Sequence, residues 1–293
     1  MNPDMMILGF LEYEAQAQRL AQQLGAAYAC VQTHRFPDGE SRVTLPAALP
    51  SKVIFCRSLN EPNEKLVELL LAAKTARRLG ARTLTLVAPY LCYMRQDKAF
   101  HDGEAISQHI IGYWLAQLFD GIVTLDPHLH RTPTIAAAVP AKTAVALTAA
   151  SAIGHFLHQH ASGAFILGPD EESRQWVQAV ALPGGFDFAV CDKRRFDDRS
   201  VRIDLPEVNL RGRRVVLVDD VASTGHTVIE ATRQCLTAGA ARVDVFVSHA
   251  LFVEGADEAL RAAGANSIWS TDSVSHPGNV VHLAELLAGA LQQ

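Results

Sequence analysis

The string RVVLVDDVASTGHT, Arg214–Thr227, restricts the fold more than any other part of the chain. Its β-branched run Val215–Val218 reads as a buried parallel strand, because continuous apolar runs of that length belong to sheets covered on both faces. The run ends at two carboxylates, Asp219 and Asp220. A loop of small and hydroxyl-bearing residues follows, Ser223, Thr224, Gly225, His226 and Thr227, and then a helix-forming segment, Val228–Leu236. The first N–H groups of a helix have no intrahelical partner, so the loop offers an anion site. Small residues let a phosphate approach the backbone, and the hydroxyls add donors. Carboxylates beside an anion site make chemical sense for a ligand carrying both hydroxyls and phosphate. A sugar phosphate fits, with its hydroxyls on the aspartates and its phosphate on the loop. The simpler reading, a capped helix after a core strand, accounts for one Asp or Ser but not for the whole string.

The rest of the chain alternates in the same way. Val53–Cys56, Thr83–Val87, Ile122–Leu125, Phe165–Leu167 and Val243–Val247 read as further buried strands. Amphipathic stretches Asn63–Leu79, Ala105–Phe119, Ser173–Ala181 and Val228–Ala238 separate them. Such alternation predicts an α/β fold with covered parallel sheets. The 293 residues suit two domains. The near-repeat of the pattern places their boundary within Pro140–Leu147, giving domains 1–145 and 146–293, with Val281–Leu291 closing either one. The net charge of −5 argues against a nucleic-acid surface, whose footprint is basic. The opening MNPDMMILGF lacks a basic leader, and no apolar stretch is long enough to span a bilayer. The 5 cysteines never form a CxxC pair and sit mostly in apolar runs, which predicts reduced core thiols. A cytoplasmic location is the expectation.

Other strand ends also carry chemistry. RFPDGE, Arg35–Glu40, has a hairpin core in Pro37-Asp38-Gly39, flanked by Phe36 and Glu40, and its aromatic face and two carboxylates suit an adenine and its polar edge. APYLCYMRQDK, Ala88–Lys98, follows the strand Thr83–Val87 and places Arg95, Gln96, Asp97 and Lys98 in one polar cluster. VTLDPHLHR, Val123–Arg131, alternates Asp126, His128 and His130, which share a face if the strand continues through Pro127. No cysteine or third histidine completes a closed zinc site. A carboxylate with one imidazole suits magnesium shared with phosphate oxygens and water. In GPDEESRQW, Gly168–Trp176, Asp170 is a candidate metal ligand, while Glu171 and Glu172 match the first turn of a helix. DKRR, Asp192–Arg195, follows the strand Phe188–Cys191 and reads as a cationic loop, continued by the charged segment 196–199. Such a loop is either a solvated edge or a cover for a polyphosphate. His155, His158 and His160 fall on an exposed helix end without a role.

Together, FPDGE, PYLCYMRQDK, the Asp-x-His segment, DKRR and Asp219–Thr227 resemble the ribose-phosphate pyrophosphokinases, the phosphoribosyl pyrophosphate (PRPP) synthetases, in their shorter archaeal-like form. Type I phosphoribosyltransferases share only the last of these segments. The resemblance implies two phosphoribosyltransferase-like domains, each a parallel-rich sheet flanked by helices, with ATP on the first and ribose 5-phosphate on the second. It further implies that Phe36, Asp38, Gly39 and Glu40 contact the adenine of ATP across a subunit interface of a homo-oligomer. Arg95 and Gln96 would also bind ATP, and His128 and Asp170 would hold Mg2+. Lys193 and Arg195 would be the catalytic cations. Asp219 and Asp220 would contact the ribose, and Ser223–Thr227 its 5-phosphate.

The sequence departs from the common bacterial pattern in three places. Glu171 and Glu172 stand where two glycines follow Pro-Asp, His226 replaces a small residue, and Pro127 replaces an apolar one. The segment after DKRR also lacks the proline-rich continuation of the common bacterial enzymes, so their phosphate and ADP regulation does not carry over. Two alternatives stay open, a non-catalytic regulatory relative and a phosphoribosyltransferase that consumes PRPP.

Overall fold

The computed structural model describes residues 2–195 and 201–292, with side chains at 4–192 and 203–292. In the first part of the chain, strands β1 (Asn2–Phe10), β2 (Ala26–Arg35), β3 (Ser41–Thr44), β4 (Lys52–Cys56), β5 (Thr83–Ala88), β6 (Gly121–Leu125) and β7 (Thr143–Leu147) alternate with helices. The helices are α1 (Glu14–Leu24), α2 (Pro62–Arg78), α3 (Ser107–Leu118) and the short α4 (Ile135–Ala138). The second part contains α5 (Ala150–His160), β8 (Phe165–Gly168), α6 (Arg174–Gly184), β9 (Phe188–Val190), β10 (Asp192–Arg195), β11 (Val201–Asp204) and β12 (Arg214–Ala222). It continues through α7 (His226–Thr237), β13 (Arg242–Ala250), α8 (Ala256–Ala262), β14 (Ile268–Thr271) and β15 (Asn279–Val281), and α9 (Ala284–Leu291) ends the chain.

These elements form two compact units, Met1–Leu147 with Leu283 onward, and Thr148–His282. The terminal helix thus joins the first unit, whereas the sequence division assigned residues 146–293 to the second. Its Ala284, Leu287 and Ala288 are buried, and it packs on α1 and β7. An apolar helical stripe shows that a helix will dock but not on which sheet.

The first unit's sheet runs β3-β2-β1-β4-β5-β6-β7, parallel except for the β2–β3 hairpin. Its core joins Leu8, Phe10, Phe55, Leu69, Leu84, Leu86, Leu115 and Phe119. Phe55 meets Phe119 edge-on at 5.7 Å between centroids. The second unit's sheet runs β15-β14-β13-β12-β8-β9, parallel throughout, over a core of Leu167, Val215, Leu217, Val245, Val247 and Leu260. In each sheet the order reverses once, between β1 and β4 and between β8 and β12. A crevice opens at such a point beyond the carboxyl ends of the strands, the usual ligand position in open α/β sheets.

DKRR does not form a loop. Asp192–Arg195 pairs antiparallel with β11, with Lys193 opposite Ile203 and Arg195 opposite Val201 in backbone register. The intervening polar stretch had masked the β-branched partner, Val201 with Ile203, that completes this ribbon. The side chains of Lys193 and Arg195, and the charged segment 196–199, lie outside the described residues.

Candidate active site

In the second unit, β12 runs on to Ala222, beyond the strand end expected at Val218. Its pairing with β8 covers only Val215–Leu217, so Asp219–Ala222 projects past β8 into the crevice while remaining paired with β13. Asp219 and Asp220 are half-buried there, and Asp219 Oδ1 accepts the Asp220 N–H at 3.0 Å. The neighbouring segment holds the loop's entry, since Leu251 N–H donates to Ala222 C=O at 2.9 Å and Val253 N–H to Ser223 C=O at 3.1 Å. Gly225 then turns the chain at φ 72° and caps α7, which begins at His226 with no side-chain cap. Most L-residues resist that conformation, so glycine suits the turn. Among the described residues, the Ser223, Thr224 and Thr227 hydroxyls make no hydrogen bond. Thr224 and His226 are exposed, Ser223 and Thr227 half-exposed. A set of donors with no internal acceptor, at the positive end of a helix, is suited to an anion.

Across the same crevice, β8 ends at Gly168, where a Cβ would lie 2.4 Å from Ser173 Oγ and 2.9 Å from Val190 Cγ1. The glycine lets the following turn fold tightly against β9 and α6. Asp170 caps that turn, its Oδ1 accepting Ser173 N–H at 3.1 Å while Ser173 Oγ donates to Asp170 C=O at 2.6 Å. The first bond orients the carboxylate, and the second fixes the backbone of the turn. Glu171 bends back onto its own helix and pairs with Arg174, whose hydrogen bond holds Glu171 below the usual carboxylate range.

In the first unit, Arg35–Glu40 forms the predicted hairpin tip. Phe36 N–H donates to Glu40 C=O at 2.8 Å, and Gly39, at φ 94°, donates to Phe36 C=O at 2.9 Å. Asp38 Oδ1 accepts Glu40 N–H at 3.2 Å. Phe36 is exposed, with His34 edge-on at 4.9 Å. A cleft of about 310 Å³ beside the tip is lined by Arg35, Gly39, Glu40, Ser41, Glu64 and Val67.

The alternation read in Asp126, His128 and His130 does not hold. β6 stops at Leu125, Asp126 adopts φ 38°, and its N–H donates to Leu147 C=O at 2.8 Å. Pro127 has no N–H to continue a ladder, so the chain turns instead. The turn still brings the His128 and His130 rings edge-on at 3.9 Å. Tyr93, at φ 61°, lies in the other candidate loop, in which Arg95 is exposed and Gln96 half-exposed. Strained non-glycine residues of this kind concentrate at functional sites.

The sequence reading assigned no role to Asp97, Gln108, Arg131 or Thr132, yet they tie these two loops together. Asp97 Oδ1 accepts from Arg131 Nη1 at 2.7 Å and Oδ2 from Arg131 N–H at 3.2 Å. Fully buried Gln108 donates to Met94 C=O at 3.0 Å and accepts from Thr132 Oγ1 at 2.6 Å.

The N-terminal domain of ribose phosphate pyrophosphokinase matches residues 5–118, and a phosphoribosyl transferase domain matches residues 143–277. A ribose-phosphate pyrophosphokinase of Methanopyrus kandleri is 34% identical over 98% of this chain and 99% of its own. That of Saccharolobus solfataricus is 33% identical over 92% of this chain and 94% of its own. The chain belongs to the ribose-phosphate pyrophosphokinase family. The fold agrees as well. A phosphoribosylpyrophosphate synthetase from Mycobacterium smegmatis superposes with a TM-score of 0.83 at 23% identity, covering 99% of this chain and 98% of that one.

The thiols behave as the sequence predicts. None of the 5 is in a disulfide; burial pushes Cys92, Cys191 and Cys235 up to about 12, which keeps them protonated. No helix among the described residues is long and apolar enough to cross a membrane.

Proposed function

We propose that the protein transfers the β,γ-diphosphoryl group of ATP to the C1 hydroxyl of ribose 5-phosphate. The C1 oxygen bonds to the β-phosphorus, the bond from that phosphorus to the α,β-bridging oxygen breaks so that AMP leaves with that oxygen, and the proton of the C1 hydroxyl passes to solvent. AMP and PRPP result. The observation that carries this reading is the β12–α7 junction, where two carboxylates precede free hydroxyls and an uncapped helix start, in a chain of this family. Asp219 and Asp220 accept hydrogen bonds from the ribose hydroxyls. Ser223, Thr224, Thr227 and the N–H groups from Gly225 onward hold the 5-phosphate, and His226 adds a donor. Phe36, Asp38, Gly39 and Glu40 take the adenine from a second copy of the chain, so the active form is a homo-oligomer. Arg95 and Gln96 grip the remainder of ATP. Lys193 and Arg195 neutralise the diphosphoryl group as its charge shifts.

Magnesium is part of the proposal. Among the described residues no three His, Cys, Asp or Glu side chains gather into a cage. The His128 imidazole on the first unit and the Asp170 carboxylate on the second are each proposed as a ligand for Mg2+, which takes its other ligands from phosphate and water. Held by such ligands, Mg2+ would supply charge neutralisation and a template for ATP. The first unit is thus the ATP side and the second the ribose 5-phosphate side of a cytoplasmic enzyme supplying nucleotide synthesis.

The test is an assay of ATP plus ribose 5-phosphate with magnesium, following AMP and PRPP by chromatography, with Lys193→Ala alongside. Equal yields of both products, reduced at least 100-fold in the variant, are expected. ATP binding without product would favour a regulatory relative, and pyrophosphate release from PRPP with a nucleobase would favour a phosphoribosyltransferase.

A further inference from the structure

We infer that Asp97 is a positioning residue that holds the loop bearing His128 in register with the loop bearing Arg95 and Gln96. The inference rests on the function proposed above and deepens it. Both loops leave the carboxyl ends of neighbouring strands, β5 and β6, and both contain a strained residue, Tyr93 at φ 61° and Asp126 at φ 38°. Such backbone persists only where its surroundings over-determine it. Asp97 supplies the tie.

Its side chain is 2% exposed, and each carboxylate oxygen accepts a bond from Arg131, one from the guanidinium and one from the backbone N–H. The backbone bond matters most, because it fixes the main chain three residues past His128 whatever the solvent-exposed arginine head does. Gln108 adds a second tie. Its own N–H donates to Gln96 C=O at 3.2 Å, its amide donates to Met94 C=O, and its carbonyl oxygen accepts from Thr132. Every residue from Met94 to Asp97 except exposed Arg95 is therefore bonded directly, or through Gln108, to Arg131 or Thr132 or to the helix between the loops. A buried carboxylate retained at such a junction needs its partners, since an unpaired one is costly. Partners that orient a metal-binding imidazole typically matter 10–100-fold. Asp97 touches neither substrate nor metal in this scheme; it acts through the loop it holds.

Asp97→Asn is the sharpest variant, nearly isosteric but without charge and with one acceptor oxygen instead of two. Three readouts are needed: product formation against Mg2+ concentration, hydrogen exchange at the amides of residues 126–132, and thermal midpoint. The expected result is a rise of roughly 10-fold or more in half-saturating Mg2+. Faster exchange should be confined to 126–132, with KM for ribose 5-phosphate unchanged. Arg131→Lys should retain more of the wild-type magnesium response than Arg131→Met, and Asp97→Asn/Arg131→Met should be less than additive. A lower thermal midpoint with unchanged magnesium response and exchange would reduce Asp97 to a structural role and overturn the inference. Wild-type magnesium response and exchange in Asp97→Asn would do the same. If the wild-type protein makes no PRPP, the proposed function fails instead, and exchange at 126–132 still decides whether Asp97 holds the loop.

Discussion

Each unit has one strand-order reversal and one crevice beside it, and the two crevices are used in opposite ways. In the second unit, β12 outruns β8 and the crevice is lined by hydroxyls that bond to nothing among the described residues. In the first, the matching place between β1 and β4 is filled by Arg57. Its side chain is 4% exposed, stacks over Phe10 at 3.8 Å, donates to Glu12 at 2.6 Å and to buried Glu68, and reaches Lys65 C=O at 3.3 Å. Lys65 closes the gap further, bonding Ser58 C=O and Asn60 Oδ1 at 2.9 Å each. The same topology thus yields an open, hydroxyl-lined crevice, the candidate cradle, in one unit and a charged plug in the other. In the first unit, the candidate ATP residues lie at the next strand ends and on the protruding hairpin instead. A topological switch point provides a crevice; the side chains decide whether it is a site.

If Arg57 is a plug and not a ligand group, removing it should cost stability and leave substrate affinity alone. Arg57→Met strands Glu68, whose side chain is 7% exposed, and breaking a buried pair costs about 3–5 kcal/mol. A fall of roughly 10 °C in thermal midpoint is expected, with KM for ribose 5-phosphate unchanged. Arg57→Met/Glu68→Leu should recover most of that loss, because the stranded charge is gone. A variant that stays stable but loses substrate affinity would break the comparison, for the first crevice would then be a site as well.

The second unit should respond the other way round. If Asp219 binds the ribose as proposed, Asp219→Ala removes a charge-assisted hydrogen bond worth about 1.5–3 kcal/mol, so kcat/KM for ribose 5-phosphate should drop roughly 10–100-fold. The thermal midpoint without substrate should change little, since the half-buried carboxylate sits where the crevice is open. A large loss of midpoint with kinetics intact would show the cradle to be structural.

What was legible in the sequence follows the same division. The cradle could be read because strand, carboxylates, loop and helix are contiguous in Arg214–Thr227, and the parallel strands because β-branched runs buried on both faces leave little else for a chain to do. Even there the strand's end was misjudged, since pairing with β13 carries the ladder through two aspartates that by themselves suggest a loop. The plug was not legible, because Arg57 meets partners 45 and 11 residues away. Nor was the Asp97–Arg131 tie, which spans 34 residues. In the sequence, Asp97 is one more charge in a polar cluster. Pro127 was a usable signal: a residue without an N–H marks where β6 must stop, and the turn at Asp126 follows from it. The docking of α9 on the first sheet had no local signal, because any apolar helical stripe fits any apolar face.

The smallest effect concerns acid. The plug implies that the first unit holds charges for structure, and Asp120, at the amino-terminal edge of β6, is a second such charge. Burial alone would raise its pKa. Hydrogen bonds from Lys142 at 2.8 Å, from Leu84 N–H at 2.9 Å and from Arg77 outweigh burial and hold it at about 2. A carboxylate whose folded pKa lies below its unfolded value of about 3.9 stabilises the fold fully above that value. The contribution drains away as pH falls toward the folded pKa. Lys142 is exposed and Arg77 partly so, and solvent screening trims the stabilisation to about 1–2 kcal/mol. Hydrogen exchange measured from pH 5 down to pH 2 should therefore show the first unit's amides losing protection over the window from about 4 to 2. Asp120→Asn should lower protection at pH 5 and flatten that slope. An unchanged slope in the variant would show that Asp120 does not carry the first unit's acid sensitivity.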